Sequence, residues 1–310
     1  MKISLVIMAA GMGSRYGGSK QVDGLGPHGE ILMEYSIYDA LRAGFGRVVF
    51  IIKPEMKETV ERLCGQYLRQ KTAADGTPVE VAYAFQDFSS LPDFYQIPEG
   101  RTKPFGTVHA LLCARELVDG PFCVINADDY YGIDAYRTIY QELRQLPAAG
   151  KGTMVGYLLK NTASLHGTVS RGICQVENGS LRAVREALKV QLYPDGTLRD
   201  LAEDCPLDPE TVVSMNFWGF APSIFPQMQQ YFEDFLHSAA GKEPKAECLL
   251  PVMVGEQLRS GALEVSVLHS ADRWFGMTYH EDRASVAEEL HKLHASGAYP
   301  ESLRLPGKII

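Results

Sequence analysis

Two basic residues in a glycine-rich segment near the N-terminus have the type and spacing to bind an anionic ligand. Arg15 and Lys20 lie five positions apart in a segment that also contains Gly11 and Gly13. Glycines allow a loop to turn tightly and to present its backbone N–H groups to a ligand. The apolar run ISLVIMAA (3–10) just before the loop predicts a strand buried on both faces. Together these features predict a triphosphate site; the alternative is a glycine turn with two solvated basic residues.

Two acidic residues, Asp128 and Asp129, end the predicted strand PFCVINADD (121–129). Open α/β sheets bind their ligands at the carboxyl ends of strands. Adjacent side chains on a strand point to opposite faces, so at most one of the two is expected to face a site. A carboxylate beside a triphosphate would be repelled unless Mg²⁺ bridged their oxygens. Taken alone the pair could be turn or cap residues, but beside the glycine loop it favours a metal site.

A third candidate group consists of Gln86, Gly106 and Thr107. Gln86 ends the predicted strand VEVAYAFQ (79–86), and Thr107 is predicted to cap the helix that follows Gly106. A helix N-terminus offers free N–H groups, and a glutamine amide can pair with the edge of a base. An ordinary helix cap and a surface glutamine are the alternative.

The elements that position these residues alternate between strand and helix over the first half of the chain. Helical periodicity over 31–45 is followed by the apolar strand RVVFII (47–52) and a helix over 55–70. This order predicts an α/β fold with a Rossmann-like, mostly parallel sheet and helices on both faces.

The second half of the chain has a different pattern. Strands with a hairpin turn at Asn178-Gly179 predict a β-rich subregion, and two helical stretches around a strand at 262–270 predict a C-terminal helical extension. We therefore predict a core over 1–235, divided into a nucleotide-binding part (1–150) and an acceptor-binding part (151–235). Residues 236–310 are predicted to belong to the same domain.

Composition narrows the class of protein. The 310 residues carry a net charge of −8, which argues against non-specific nucleic-acid binding. The six cysteines are scattered without a C-x-x-C pair, so neither a zinc site nor a disulfide framework is predicted. No apolar run approaches the roughly 18–20 residues that a membrane span needs. We expect a soluble cytoplasmic protein without membrane partners; assembly with further copies of the chain stays open.

The motif AAGMGSR, followed by Lys20, resembles the opening motif of the sugar-phosphate nucleotidyltransferases. FGTVHA and NADD are similar to the base-contacting and metal-binding motifs of that family, whose uridylyl- and cytidylyltransferase branches match best. The resemblance implies catalytic roles for Arg15, Lys20 and Asp128, with Asp128 as a metal ligand. It implies nucleotide binding by the following residues: Ala9, Ala10, Gly11, Gly13, Ser14, Arg15, Gln86, Gly106 and Thr107.

Later motifs extend the resemblance to the acceptor. GTVSR suggests Gly167 as a sugar contact, VREALK suggests Glu186 for sugar hydroxyls and Lys189 for the phosphate, and VSMNFWGF suggests Asn216. The segment WFGMTYHED (274–282) departs from the family, which usually has a second acidic metal ligand there.

In that departing segment, Gly276 stands where the family aspartate would be. Thr278 falls where another branch has an asparagine, which makes it a candidate second metal ligand beside Asp128. A hydroxyl is a poor replacement for a carboxylate on Mg²⁺. Asp129, Asp272 or Asp282 could supply the missing ligand, or Asp128, the phosphates and water could suffice.

The resemblance implies a Mg²⁺-dependent enzyme that joins an NTP, with UTP or CTP favoured, to a sugar 1-phosphate or a similar phosphate. Pyrophosphate and an NDP-sugar would be the products. One alternative is an NAD(P)-dependent oxidoreductase, because the glycine loop nearly matches the dinucleotide fingerprint. Against it, Lys53 follows the second strand where that fold wants an acidic residue. A catalytically inactive regulatory homologue is the other alternative, suggested by the missing metal ligand.

Overall fold

A computed structural model describes residues 2–11, 24–73, 75–270, 272–277, 279, 281–304 and 307–308 of the chain. The predicted site residues Gly13, Ser14, Arg15, Lys20 and Thr278 lie outside these described residues.

Eleven strands of the described chain form one large sheet in the order β11-β10-β9-β13-β7-β12-β5-β1-β2-β4, with β8 against β9 and β12. Two further pairs, β6 with β14 and β3 with β15, form small separate sheets. The strands are β1 (Ser4–Met8), β2 (Arg47–Ile52), β3 (Lys71–Thr72), β4 (Glu80–Phe85), β5 (Phe122–Asn126), β6 (Asp129–Tyr130), β7 (Lys151–Leu158), β8 (Val169–Glu177), β9 (Ser180–Leu192), β10 (Leu198–Asp200), β11 (Cys205–Leu207), β12 (Val212–Phe220), β13 (Glu264–His269), β14 (Phe275–Gly276) and β15 (Gly307–Lys308).

The predicted parallel arrangement occupies the half of the sheet built from the first part of the chain. Strands β4, β2, β1 and β5 are all parallel, so their carboxyl ends meet at one edge. Beyond β5 the sheet becomes largely antiparallel, because β12 pairs antiparallel with β5, β7 and β8, although β13 is parallel to β7. The α/β class and the β-rich second region are thus confirmed.

Side chains alternate between two apolar cores, one on each face of the sheet. In β1, Leu5 and Ile7 belong to one core and Val6 to the other. Both cores are covered by helices, as expected for a sheet whose strands are apolar on both faces. The helices are α1 (Leu32–Ala43), α2 (Lys57–Val60) and α3 (Gln66–Leu68) separated by a π-helical turn (Glu61–Gly65), α4 (Thr107–Cys113), α5 (Ile133–Leu143), α6 (Ile224–His237), α7 (Leu250–Arg259) and α8 (Asp282–Ala295). Among the described helices, none combines the length and apolar character needed to cross a membrane.

Most of the predicted elements are confirmed, including the hairpin, where Asn178 and Gly179 both have positive φ between β8 and β9. Helix α7, however, was not predicted. Its sequence carries a proline in the first turn, a position that helices tolerate because the missing N–H would be unpaired there anyway. This helix matters, because its N-terminus borders the candidate site.

Candidate active site

The carboxyl ends of the parallel strands border a cavity of about 530 Å³. Its described lining consists of Met8, Ala10, Gly11, Lys53, Gln86, Lys103, Pro104, Gly106, Thr107, Ala110, Asn126, Asp128, Asn216, Glu247 and Leu249. Residues that follow β1, β2, β4 and β5 meet here because those strands run in the same direction. We call this space the nucleotide cavity.

Gln86 and Gly106 are joined at the wall of the nucleotide cavity. The Gln86 Nε2 group donates a 2.9 Å hydrogen bond to the Gly106 carbonyl, which fixes the orientation of the amide. Gly106 has a φ of 87°, and a Cβ there would lie 2.9 Å from the Cys248 carbonyl oxygen. Only glycine fits both the conformation and the contact.

Thr107 does not cap helix α4 as predicted. Gly106 occupies the N-cap position, and Thr107 is the first helical residue. Its hydroxyl accepts a 2.7 Å hydrogen bond from the Leu250 N–H at the start of α7. Thr107 therefore links the N-termini of two helices beside the cavity.

A second cavity, of about 330 Å³, opens on the side of the β-rich region. Its described lining consists of Thr107, Asn126, Asp128, Asp129, Thr168, Val169, Ser170, Arg171, Gly172, Glu186, Ser214, Met215, Asn216, Leu249, Pro251 and Trp274. We call this space the acceptor cavity. The residues that it shares with the nucleotide cavity are Thr107, Asn126, Asp128, Asn216 and Leu249.

Comparison with known proteins identifies the family. The family model for nucleotidyl transferases matches residues 4–235, which is more than half of the chain. The chain belongs to the nucleotidyl transferase family. This confirms the predicted enzyme class over the oxidoreductase alternative.

Solved structures share the fold of this nucleotidyltransferase at low sequence identity. A protein described as a glucose-1-phosphate thymidylyltransferase from Bacillus anthracis, in complex with sucrose, is 14% identical with a TM-score of 0.62; the alignment covers 97% of this chain and 98% of that one. A UDP-glucose pyrophosphorylase with bound UDP-glucose is 15% identical (TM-score 0.59; 94% and 99% covered). An inositol-1-phosphate CTP transferase from T. maritima is 11% identical (TM-score 0.56; 93% and 96% covered). No curated protein sequence matches.

Both aspartates of the nucleotidyltransferase line the acceptor cavity, so the expectation that at most one would face the site is wrong. Strand β5 ends at Asn126, and Asp128 lies in a turn before β6, where strand alternation does not apply. Asp129 is 8% exposed, and its Oδ2 accepts a 2.8 Å hydrogen bond from Asn126 Nδ2. Burial, followed by the neighbouring charge of Asp128, raises the pKa of Asp129 to about 7.

Asn216 lies where the two cavities meet, in a conformation that strands rarely contain. Its φ is 60°, and the register between β12 and β7 shifts between Ser214 and Trp218. Its Oδ1 is buried and has no hydrogen-bond partner among the described residues. A buried amide oxygen without a donor and a strained backbone are both typical of ligand-binding positions.

The other predicted acceptor residues are placed differently from one another. Glu186 lines the acceptor cavity, and burial raises its pKa. Gly167 lies just outside the described lining, where a Cβ would be 2.4 Å from the Tyr279 hydroxyl. Lys189 is exposed and is not among the described residues that line either cavity. Ala9, predicted to contact the nucleotide, is fully buried in the core.

Three cations in the cavities were not predicted as site residues. Lys53 and Lys103 line the nucleotide cavity, and Arg171 lines the acceptor cavity. Lys53 follows the carboxyl end of β2, a position that could have been recognised from the sequence. Arg171 lies within strand β8 and ends the GTVSR motif, from which only Gly167 was predicted as a contact.

Two of the three candidate replacements for the second metal ligand have structural roles instead. The Asp272 carboxylate accepts hydrogen bonds from the Asp134 and Ala135 N–H groups and so caps helix α5. The Asp282 carboxylate accepts a 2.8 Å hydrogen bond from the Tyr279 N–H. Neither is in the described lining of either cavity, whereas Asp129 lines the acceptor cavity.

The donor atoms at the junction suit a hard divalent cation. Asp128 and Asp129 supply carboxylate oxygens, and Asn216 lines the same cavity. Mg²⁺ prefers oxygen ligands and usually binds through one or two carboxylates plus substrate phosphates. Within the described residues no group of three or more His, Cys, Asp or Glu could hold a metal. The residues therefore fit Mg²⁺ in partnership with substrate phosphates.

Proposed function

We propose that this nucleotidyltransferase joins an NTP to a sugar 1-phosphate or a similar phosphate, with Mg²⁺ as cofactor. Pyrophosphate and an NDP-sugar would be the products. The observation that carries the proposal is the meeting of two cavities at Asp128. One follows the carboxyl ends of the parallel strands, and the other is lined by polar side chains of the β-rich region. Such a pair of cavities suits two phosphate-bearing reactants that must react at their junction.

On the nucleotide side, the triphosphate would bind the glycine loop that starts at Ala10 and Gly11. Both residues line the nucleotide cavity, and Gly13, Ser14 and Arg15 follow them in the sequence. Lys53 and Lys103 add positive charge at the same cavity. The base would bind near Gln86 and the Gly106-Thr107 turn, which favours a pyrimidine and thus UTP or CTP. The related structure with bound UDP-glucose supports a nucleotide sugar as product.

In the reaction, an oxygen of the acceptor phosphate attacks the α-phosphorus of the NTP in line. A new P–O bond forms as the bond between the α-phosphorus and the bridging oxygen breaks, and the electron pair leaves with pyrophosphate. The attacking phosphate is already ionised, so no general base is needed. Because both reactants are anions, positioning and charge neutralisation supply most of the catalysis.

Different residues of the chain would position the reactants and neutralise their charge. Arg15 would hold the β- and γ-phosphates and stabilise the leaving group, and Lys20 would contact the α-phosphate and the attacking phosphate. Asp128 would hold Mg²⁺, with Asp129 as the replacement for the family's second ligand. When bound, the metal would neutralise charge between the two phosphates. Glu186 and Asn216 would accept hydrogen bonds from hydroxyl groups of the acceptor.

The chain would act as a soluble cytoplasmic enzyme.

Both cavities include residues from the C-terminal part of the chain, namely Glu247, Leu249, Pro251 and Trp274. This supports the proposal that residues 236–310 complete the same domain as the core.

A direct test measures pyrophosphate release with four NTPs against a panel of sugar 1-phosphates and related phosphates, with and without Mg²⁺. We expect turnover only with Mg²⁺ and highest with UTP or CTP. The Lys20→Ala variant should lose turnover and keep its melting temperature, while the exposed control Lys57→Ala should behave as wild type. Full activity of Lys20→Ala would contradict the assigned role. Nucleotide binding without turnover on any acceptor would favour the regulatory homologue.

A further inference from the structure

The acceptor cavity contains a buried arginine. Arg171 lies on β8, is 7% exposed, and lines the cavity together with Glu186 and both aspartates. Taking a guanidinium out of water costs several kcal/mol, so a buried arginine needs strong partners. Its Nε donates a 3.1 Å hydrogen bond to the Thr162 carbonyl, to which its Nη2 also donates, and its Nη1 donates a 2.6 Å bond to the Ser170 carbonyl.

These contacts hold the guanidinium at the cavity wall. Its Cζ lies 5.1 Å from the centre of the Trp274 ring, which also lines the cavity. Stacking on an aromatic ring and hydrogen bonds to carbonyls fix the plane of the guanidinium. The guanidinium thus places a positive charge at the cavity, where it lowers the pKa of Glu186 against the larger effect of burial.

The charge of the described cavity lining favours a role for this arginine in binding an anionic acceptor, beside the contact proposed for Lys20. The charged side chains of the described lining are Asp128, Asp129, Glu186 and Arg171. Three carboxylates against one guanidinium would repel a phosphate unless a metal and a cation met it. In the described part of the cavity, Arg171 is the side chain that can supply that cation.

Lys189, which the family resemblance assigns to the acceptor phosphate, is placed elsewhere by an irregularity in β9. Val169 pairs with Val190, and Arg171 pairs with Ala187. The two paired positions are three residues apart on β9 but two residues apart on β8, so β9 contains a bulge there. This bulge leaves Ala187 and Val190 buried, and Leu188 and Lys189 exposed. The lysine thus points to the surface, while the arginine on the facing strand borders the cavity.

We propose that Arg171 binds the phosphate group of the acceptor, in place of Lys189. The inference rests on the proposed function, since it requires an acceptor that carries a phosphate. Arginine suits this role because its planar fork of N–H groups can bind two phosphate oxygens at once. A purely structural alternative is that Arg171 only ties the Thr162 turn to β8.

The test uses steady-state kinetics with the NTP and sugar 1-phosphate pair that gives the highest wild-type turnover. Arg171→Gln should raise the KM of the acceptor by about 10- to 100-fold, the range expected for loss of a charged hydrogen bond. The KM of the NTP should stay near its wild-type value. Arg171→Lys keeps the charge but not the planar fork of N–H groups. Its KM for the acceptor should therefore lie between the values of wild type and Arg171→Gln. Arg182→Gln, at an exposed position of β9, is the matched control.

Two inhibitors of the same reaction separate phosphate binding from a structural role. Arg171→Gln should weaken inhibition by inorganic phosphate and leave inhibition by the free sugar unchanged, whereas a distorted cavity would weaken both. An unchanged acceptor KM in Arg171→Gln, or a larger rise in Lys189→Gln, would overturn the inference while the proposed function stands. If wild type turns over no pair at all, the proposed function fails and the inference fails with it. Should Arg171→Gln not fold, Arg171→Lys carries the test.

Discussion

Asp129 and Gly276 lie opposite each other in the two-stranded pair of β6 and β14, and a Cβ on Gly276 would be 2.5 Å from Asp129 Oδ1. An aspartate at 276, as the family pattern has it, would occupy the space that the Asp129 carboxylate fills. The two positions can therefore hold one carboxylate between them, and this chain carries it on β6. We therefore propose Asp129 as the replacement for the second metal ligand of the family pattern.

Asp129→Asn tests this replacement with little change in shape. We expect kcat to fall by at least about tenfold, equivalent to about 1.4 kcal/mol in the barrier, because the amide removes a charge that would help to hold Mg²⁺. The Mg²⁺ concentration for half-maximal turnover should rise in the same variant. Asp282→Asn, which changes a carboxylate outside both cavities, should leave the Mg²⁺ requirement unchanged. An unaltered Mg²⁺ requirement in Asp129→Asn would rule Asp129 out as a ligand.

Gly276→Ala tests the close contact from the other side. The new methyl group would meet Asp129 Oδ1 at 2.5 Å and the Trp274 ring at 2.8 Å, so both side chains must shift. Overpacking of this kind costs about 1–3 kcal/mol of stability, and moving Asp129 should also lower kcat. In the control Gly46→Ala, the methyl group would meet only the flexible Lys2 side chain. Equal unfolding free energies of the two variants in urea would show that the contact is not tight.

How far the sequence predicts this site depends on the backbone around each residue. Gln86 and Asp128 were predicted because they follow apolar strands, and parallel strands bring their carboxyl ends to one edge. Lys189 was assigned from the resemblance to the family motif; the bulge in β9, which a motif match does not show, leaves it outside the described lining of both cavities. Arg171 was not predicted to line a cavity, although it ends the GTVSR motif, because the resemblance took only Gly167 from that motif and Trp274, which it contacts, is distant in sequence.

Gly106→Ala should weaken binding of the NTP more than binding of the acceptor. Gly106 shapes the wall of the nucleotide cavity, holds Gln86 through its carbonyl, and has no room for a Cβ against the Cys248 backbone. The control Gly100→Ala also imposes a side chain at positive φ, but nothing lies within 4 Å of its Cβ. The difference between the two variants in NTP affinity, measured by calorimetry, isolates the effect of the Cys248 contact. Equal losses of NTP affinity in Gly106→Ala and Gly100→Ala would show that backbone strain, and not the Cys248 contact, causes the effect.

His109→Gln should change how stability depends on pH. His109 is 1% exposed, and burial lowers its pKa to about 4. Its Nδ1 accepts a hydrogen bond from the Phe105 N–H at 3.3 Å, so the neutral ring carries its proton on Nε2, which lies 2.9 Å from Ser90 Oγ. Protonation would break the first of these bonds beside the Gly106 turn.

The direction of this change in stability follows from the pH at which the folded and the unfolded chain each bind a proton. The unfolded chain protonates His109 near pH 6.5, and the folded chain does so only near pH 4, so wild type loses stability as the pH falls between these values. The loss from this one group reaches about 3 kcal/mol at the acid end. The glutamine variant has no such proton, so its deficit relative to wild type at pH 7.5 should shrink as the pH falls toward 4.5. Urea unfolding of both proteins across that range measures the gap, and a gap that stays constant would show that His109 titrates normally in the fold.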